Sequence, residues 1–558
     1  MKLFLALTLC TLAAQEKIRI DSHVAVPMRD KVILYADIYR PDRAGKFPVL
    51  VTRTPYGVQR DGGHEALIHL ALAGYAVVMQ DVRGRFESGG KWEPFRDEGK
   101  DGYDTIEWAA KQAWSNGKVA SFGGSYLGNN QWLTGAEAPP SLVAMFPRVA
   151  STSIYHNWAY FGGAYRLSFN FGWGVVRMPF RIMQPQYWHT EKYTPEQLRY
   201  ENVLKHTPLI DGDLQSSHTK VQHYRDWIQH ESYDAYWKHT SVEDRFDKIK
   251  VPTMTLGGWF DIFVAGTING YVGMKKKGGR MIIGPWGHGP SRKFGDVDFG
   301  PDAMRNANEI EQRFMDFHVK GIANGLDKEP PVEIFYMGAN KWRKEADWPI
   351  PGAKETLVYL NAGKGLSMTK PAAEGSDQYI ADPANPVPTL GGNNCCGTPT
   401  LAGPKDQRPI EARGDVLSYT SEAMTAPLAI AGPVSMKLRA STDGPDTDWM
   451  VKLVDVAPDG FAMPIAEGIL RARFREGLDK PKLLEAGRVY DFTVDMVGTA
   501  NVFLPGHKIR VDIMSSNFPQ FSVNPNTGEP LGTAVRTRKA LNKVFHGSAI
   551  VLPVVKMP

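Results

Sequence analysis

The sequence predicts an α/β fold with a helical insertion, followed by an all-β module. Three observations carry this prediction: short apolar runs alternating with helical spacing up to about residue 150, the return of that rhythm near residue 251, and short alternating runs from Pro330 onward. The chain has 558 residues, too many for one core, so several domains are expected. Its 55 Gly and 39 Pro demand many turns, in keeping with a large β content.

In order along the chain, residues 31–41 alternate and end in Pro41, which marks an outer strand. Pro48–Thr52 is an apolar strand that runs into Pro55-Tyr56-Gly57. His64–Ala73 has helical spacing with Gly74 as its stop, and Ala76–Gln80 is another buried strand. Asp101–Gln112 reads as a helix, Val119–Phe122 as the end of a strand, Tyr126–Ala136 as a helix and Leu142–Phe146 as a strand. Strands of this kind separated by helices imply a mostly parallel sheet covered on both faces. Residues 151–246 lack apolar strands, are rich in Trp, Tyr, His and Arg, and include a helical stretch at Pro195–Leu204. Strands then return at Val251–Gly258 and Met281–Ile283, with helices near 263–276 and 303–325. The expected organisation is a leader at 1–14, an α/β domain at 15–150 and 247–328, a helical cap at 151–246 and a sandwich or jelly roll at 329–558.

Composition narrows the function. The formal net charge is +5 and no lysine- or arginine-rich run occurs, so a nucleic-acid surface has no basis. Lys2, the apolar run Leu3–Ala14 and the polar sequence from Gln15 form a secretory signal pattern, too short for a membrane span. Export to a periplasmic or extracellular compartment is therefore expected, with Leu9 arguing against lipidation at Cys10. Cys395 and Cys396 are sequence neighbours whose Cα atoms a trans peptide fixes about 3.8 Å apart, closer than in most disulfides. A vicinal disulfide and two free thiols are both open readings. No second Cys or His pair stands near them in sequence, so no metal site is expected.

The chemistry concentrates in Phe122-Gly123-Gly124-Ser125-Tyr126-Leu127-Gly128. A serine between a strand and a helix, flanked by glycines, occupies a nucleophile elbow, although the downstream glycine falls one place later than in G-x-S-x-G. A serine hydroxyl needs a base, and the base an orienting carboxylate. On an α/β-hydrolase scaffold these follow as Asp or Glu, then His. Asp261 follows the strand ending in Gly257-Gly258, and His288 lies in Gly284-Pro285-Trp286-Gly287-His288-Gly289 after the next strand. Each alone reads as a turn or loop residue; all three in this order point to Ser125, His288 and Asp261 as a triad.

The segments Asp81-Val82-Arg83-Gly84, Trp114–Val119, Gly124–Gly128 with Gln131-Trp132, Gly258–Asp261 and Gly284–His288 together resemble the cocaine esterase and X-Pro dipeptidyl-peptidase family of serine hydrolases. The resemblance spans nearly the whole chain after the leader. It implies an α/β-hydrolase core with a helical cap and C-terminal jelly roll, and it accommodates the glycine three places after the serine. It also implies Ser125 as nucleophile, His288 as base and Asp261 as its carboxylate, with an oxyanion hole formed by the Tyr56 hydroxyl and the Tyr126 backbone N–H. By the same likeness Trp158, Trp173 and Phe263 line the substrate pocket, while Asp81 and Arg83 form a structural pair near the site.

No metal or organic cofactor is expected, since acyl transfer by this triad needs none. The expected partner is a small ester or amide, or a short peptide. The family includes esterases, peptidases that release an N-terminal dipeptide ending in proline, and acylases or amino-acid ester hydrolases. A free substrate amine would need carboxylates at the pocket. Asp261 has apolar neighbours, and the cap acids Glu191, Glu196, Asp211 and Asp213 are not placed by sequence. A carboxylic ester or amide hydrolase for bulky apolar acyl groups is therefore preferred, with dipeptidyl-peptidase and β-lactam acylase as alternatives. A non-catalytic secreted binding protein is the remote one.

Overall fold

The computed structural model describes residues 17–58, 64–178, 203–217, 219–372, 374–396 and 402–557. The leader at 1–14, most of the stretch Pro195–Leu204, and Glu191 and Glu196 lie outside these residues.

A ten-stranded sheet forms the first half. Its strands β1 (Ile18–Pro27), β2 (Ile33–Pro41), β3 (Phe47–Thr54), β4 (Ala76–Asp81), β5 (Ser115–Gly124) and β6 (Leu142–Arg148) lie in the order β1-β2-β4-β3-β5-β6. Strands Met254–Gly258, Arg280–Gly284, Val332–Tyr336 and Lys341–Glu345 complete it. Pairing is parallel from β4 to Val332–Tyr336 and antiparallel at both ends.

The sequence pattern explains how this sheet is covered. Successive residues of a strand point to opposite faces, and here both faces are apolar. Val49, Val51, Val78, Val119 and Met145 share one core with Ile106 and Ala109 of α2 (Glu98–Ala110) and Trp132, Leu133 and Ala136 of α3 (Tyr126–Ala136). Leu50, Val77, Ala120, Ala144 and Phe146 share the other with Leu67, Leu70 and Ala71 of α1 (His64–Leu72), and with Phe314 and Met315 of the helix Ala307–Met315.

Between β6 and Met254–Gly258, the described residues hold wide helical turns at Tyr155–Ala159 and Phe171–Arg177 and short helices at Leu167–Asn170, Gly212–Ser217, Gln222–Gln229 and Ala235–Lys238. They also hold a small hairpin, Tyr160–Phe161 with Ala164–Tyr165, that the aromatic-rich sequence concealed. Its turn rests on the β half, where Arg471 N–H donates to the Gly162 carbonyl at 2.8 Å.

The second half is a 13-stranded, almost wholly antiparallel array beginning at Lys354–Asn361. Val332–Tyr336, assigned by its alternation to the β module, instead pairs with Arg280–Gly284 in the first sheet, and Lys341–Glu345 pairs with it. Alternation over five residues reports one buried face but not which sheet supplies the neighbour. The two halves share one core: Met281, Ile283, Val332 and Ile334 of the first sheet pack with Val358, Met436, Val451, Val511 and Ile550 of the second.

Asp81 and Arg83 do not pair. Arg83 bonds Asp101 at 2.6 Å and Asp30 at 2.8 Å, while the buried Asp81 carboxylate accepts the Val58 N–H at 3.0 Å. Burial pushes the Asp81 carboxyl up to about 7 from an ordinary 3.8, against the pull of that N–H and of Arg85. A carboxyl raised in the folded state favours folding while both states are protonated, and this contribution is lost as pH climbs from about 4 to about 7. Asp81→Asn should flatten that fall in stability, measured by urea unfolding across this range. Equal slopes for the two proteins would refute it.

Candidate active site

Ser125 sits between β5 and α3 at φ 59° and ψ −124°, backbone space that a residue with a Cβ rarely occupies. Its N–H donates to the Arg148 carbonyl at 3.0 Å, and its carbonyl accepts from Gly128 and Asn129 at 2.9 and 3.0 Å. The flanking glycines have separate reasons. Gly123 has φ 131°, and a Cβ there would lie 2.7 Å from Leu127 Cβ. A Cβ on Gly128 would lie 2.6 Å from Ala150 Cβ and 3.0 Å from the Arg148 carbonyl. The close approach of α3 to β6 falls at 128, which is why the second glycine stands there rather than at 127.

Asp261 and His288 leave neighbouring strands. The two loops are tied by Trp259 N–H to the Gly284 carbonyl and Phe260 N–H to the Trp286 carbonyl, both 2.9 Å. A Cβ on Gly258 would fall 2.1 Å from the Trp286 carbonyl, so only glycine allows this crossing. Trp286 is fully buried and donates its indole N–H to the Ala303 carbonyl at 2.7 Å, fixing the His288 loop from below. His288 Nδ1 lies 2.8 Å from Oδ1 of the buried Asp261. With Nδ1–H donated to the carboxylate, Nε2 is the lone-pair nitrogen. The His288 side chain is 25% exposed, which leaves it open to a small molecule. The Ser125 hydroxyl and His288 are not hydrogen-bonded in this structure.

An aromatic cluster connects the two sides. Tyr126 stacks on Phe95 at 4.4 Å and meets Trp158 edge-on at 6.5 Å. Trp158 stacks on Phe263 at 4.8 Å, and Phe263 lies 5.7 Å from the His288 ring. Trp173 packs on Trp158 at 5.1 Å, and its indole N–H donates to the Tyr56 hydroxyl at 3.2 Å. Tyr56, Tyr126, Trp158, Trp173, Phe263 and His288 thus border one aromatic wall, to which Phe95 and Phe169 also belong. Phe95 lies in the non-periodic stretch Lys91–Arg96, which carries no sequence signal beyond an aromatic between turn residues.

A buried carboxylate supports this wall. Glu98 accepts the Tyr126 hydroxyl at 2.8 Å and pairs with Arg53 at 2.8 Å. The same Tyr126 oxygen accepts from Trp92 Nε1 and Phe95 N–H, each at 3.3 Å. Burial pushes the Glu98 carboxyl up, with Arg53 opposing. The Tyr126 N–H lies in the first turn of α3, where N–H groups have no intrahelical acceptor and attract negative charge.

Of the acids named for amine recognition, Asp211 and Asp213 both pair with Arg225, at 3.1 and 2.7 Å, while Glu191 and Glu196 lie outside the described residues. Cys395 and Cys396 form a disulfide, and it lies beside the site. Cys395 belongs to the same core as Tyr126, Trp158 and Phe263, and a His288 ring nitrogen and both sulfurs lie within 4.8 Å of one another.

Glu98→Ala should lower unfolding stability by about 3–5 kcal/mol, because it takes the nearest carboxylate from the buried Arg53 and leaves Asp101 at 3.8 Å as its remaining counter-charge. Glu98→Gln, which keeps an acceptor for Tyr126, should lose less. Thermal unfolding of the two variants checks this, and an equal loss in both would sink it.

Residues 30–290 match the family model described as X-Pro dipeptidyl-peptidase (S15 family), and residues 324–549 match that of the X-Pro dipeptidyl-peptidase C-terminal non-catalytic domain. Cocaine esterase of Rhodococcus sp. (strain MB1 Bresler) is 36% identical over 96% of this chain and 99% of its own length. Among solved structures, an alpha-amino acid ester hydrolase superposes with TM-score 0.85 at 28% identity, over 99% of this chain and 98% of that one. An aminopeptidase from a marine sediment archaeon, Thaumarchaeota archaeon, gives TM-score 0.84 at 27% identity, over 100% and 99%.

Proposed function

Since the chain belongs to the S15 family of serine hydrolases, we propose that it cleaves carboxylic esters of bulky apolar acids through an acyl-enzyme on Ser125. The observation that carries this reading is the 2.8 Å bond between His288 Nδ1 and Asp261, set across one aromatic wall from a serine on a positive-φ elbow.

The chemistry follows from these positions. Ser125 Oγ attacks the ester carbonyl carbon as its proton passes to His288 Nε2. Asp261 holds the ring by Nδ1–H and stabilises the imidazolium. The carbonyl oxygen becomes an oxyanion and takes hydrogen bonds from the Tyr126 N–H and the Tyr56 hydroxyl. Tyr56 acts toward Trp173 as an acceptor, so that contact does not consume its proton. Collapse of the intermediate breaks the bond to the leaving alcohol, which takes the proton from Nε2. Water then repeats the sequence on the acyl-enzyme: it gives a proton to His288, releases the acid, and Ser125 Oγ recovers its hydrogen.

The aromatic wall supports an apolar acyl group, and the pairing of Asp211 and Asp213 with Arg225 argues against their serving a substrate ammonium. The 36% identity to cocaine esterase, against 27% and 28% for the aminopeptidase and the alpha-amino acid ester hydrolase, favours the ester reading over the peptidase and acylase ones. We further propose a helical cap at 151–246, a C-terminal jelly roll, and export directed by residues 1–14. Those readings rest on the sequence patterns.

Rates on p-nitrophenyl esters, aryl benzoates, Gly-Pro-p-nitroanilide and ampicillin separate the candidates. Aryl esters should exceed the dipeptide anilide by at least about tenfold in kcat/KM, and the reverse order would overturn the ester preference. Ser125→Ala should keep the wild-type circular dichroism yet lose labelling by a fluorophosphonate. Labelling that persists would place the nucleophile elsewhere. Tyr56→Phe should lower kcat by about 10²–10³ through the lost oxyanion donor, with a smaller effect on KM. An unchanged kcat would remove Tyr56 from the oxyanion hole.

A further inference from the structure

The Cys395–Cys396 pair is held against His288 by a dedicated set of contacts. Asn393, two residues before it, donates its side-chain amide to the carbonyls of Trp259 and Asp261 at 2.8 and 3.1 Å. Its backbone N–H donates to Glu467 at 2.9 Å, and Gln520 bonds the same Glu467 oxygen at 2.8 Å. Gly392 and Gly403 exchange two backbone bonds of 2.8 and 3.0 Å. At Gly392, with φ 84°, a Cβ would lie 2.4 Å from Glu467 Oε2, so the loop is pressed onto this carboxylate. A segment of the β half is thereby bonded to the backbone of the loop that carries Asp261.

We propose that reduction of this disulfide creates a binding site for one soft divalent cation, of the zinc or cadmium class, formed by Cys395 Sγ, Cys396 Sγ and His288. A ring nitrogen of His288 and both sulfurs already lie within 4.8 Å of one another. A tetrahedral zinc-class site places such donors roughly 3.5–3.8 Å apart, given metal–sulfur and metal–nitrogen distances of about 2.3 and 2.0–2.1 Å. Asp261 engages Nδ1, so Nε2 is the nitrogen available, and the carboxylate behind it supplies the orienting partner usual for a metal-bound histidine. Thiolates and an imidazole are a donor set that selects such cations over magnesium or calcium.

The electron count closes with a small dithiol as reductant. Its two thiols give two electrons and two protons, the protein S–S bond breaks to two thiols, and the reductant leaves as its cyclic disulfide. Metal binding then releases the two thiol protons. In the oxidised protein neither sulfur is a thiolate, so the three-donor set does not exist. Once bound, the metal holds the Nε2 lone pair that would take the serine proton, and turnover stops. The site itself stands independently of the ester reading; only its effect on turnover depends on that reading.

The test uses the full chain, oxidised or reduced with dithiothreitol and freed of it anaerobically, and Cd²⁺ as the probe. Reduced protein should bind one Cd²⁺ per chain with an ultraviolet cadmium–thiolate absorption band. It should also lose at least about tenfold of its p-nitrophenyl ester activity, recovered on adding EDTA. Oxidised protein should show neither effect. His288→Ala, reduced, should bind Cd²⁺ at least about tenfold more weakly. Cys395→Ser with Cys396→Ser should give no band, and should that variant fail to fold, the oxidised wild type supplies the same control. Absence of the band on reduction, equal responses of oxidised and reduced protein, or undiminished binding by His288→Ala would each overturn the site. If the oxidised enzyme hydrolyses no ester, the ester reading fails, while the absorption band and the His288→Ala comparison still decide the site.

Discussion

The backbone turn at Ser125 is the constraint on which the remaining geometry depends. A non-glycine residue in that conformation costs on the order of 1–3 kcal/mol and persists only where its surroundings over-determine it. Here they do. The Ser125 N–H and carbonyl are both bonded, Gly123 takes the second positive φ, and Gly128 lets α3 lie against Ala150 and the Arg148 carbonyl. The next residue, Tyr126, is locked through its hydroxyl to Glu98 on α2, which in turn holds Arg53 on β3. The strained residue, the helix that starts after it and the centre of the sheet are therefore joined through one buried carboxylate. An error in the placement of Glu98 would propagate directly to the Tyr126 N–H.

On the opposite side the loops that carry Asp261 and His288 are positioned first by backbone crossings. Gly258 passes under the Trp286 carbonyl, and two backbone bonds join the loops, so Asp261 and His288 are held on one bonded unit. That unit is clamped from outside by Asn393 and packed through Trp259, whose indole N–H donates to the Phe335 carbonyl at 2.8 Å. The C-terminal β array is thus part of the construction of the site. Its core is continuous with that of the parallel sheet, and its loop brings the only disulfide among the described residues to His288.

Much of this was legible in the sequence where local chemistry was distinctive. Tyr126–Ala136 was read with its observed bounds, because a glycine-flanked serine marks its start and the strand before it is apolar. Asp261 and His288 were readable because each follows a buried strand in an expected chain order. What the sequence concealed depends on long-range pairing. Val332–Tyr336 has the alternation of either sheet, and only its register with Met281–Ile283 assigns it. Arg83 follows Asp81 by two residues, yet finds its partners Asp30 and Asp101 at separations of 53 and 18 residues. The cysteine pair showed no metal-ligand spacing because its third donor, His288, lies over a hundred residues away in the chain. Phe95 and Glu98 had no motif, since their roles are defined by Tyr126 above them.

The electrostatics behind Asp261 bring the three parts of the chain to one point. Asp261 Oδ2 is buried and has no hydrogen-bond partner among the described residues. Arg166, from the insertion, is also buried, and Glu467, from the β array, stands near it. Burial lowers Arg166 to about 10, while the charges of Glu467 and Asp261 push the other way. Even so lowered, the guanidinium remains protonated at neutral pH. A cation therefore lies within electrostatic reach of Glu467 and Asp261 inside the core, where a buried charge needs an opposite one nearby. The carboxylate that holds His288 Nδ1 through its Oδ1 thus has an opposite charge behind it inside the core. The insertion and the β array thus both contribute charge behind the Asp261–His288 pair.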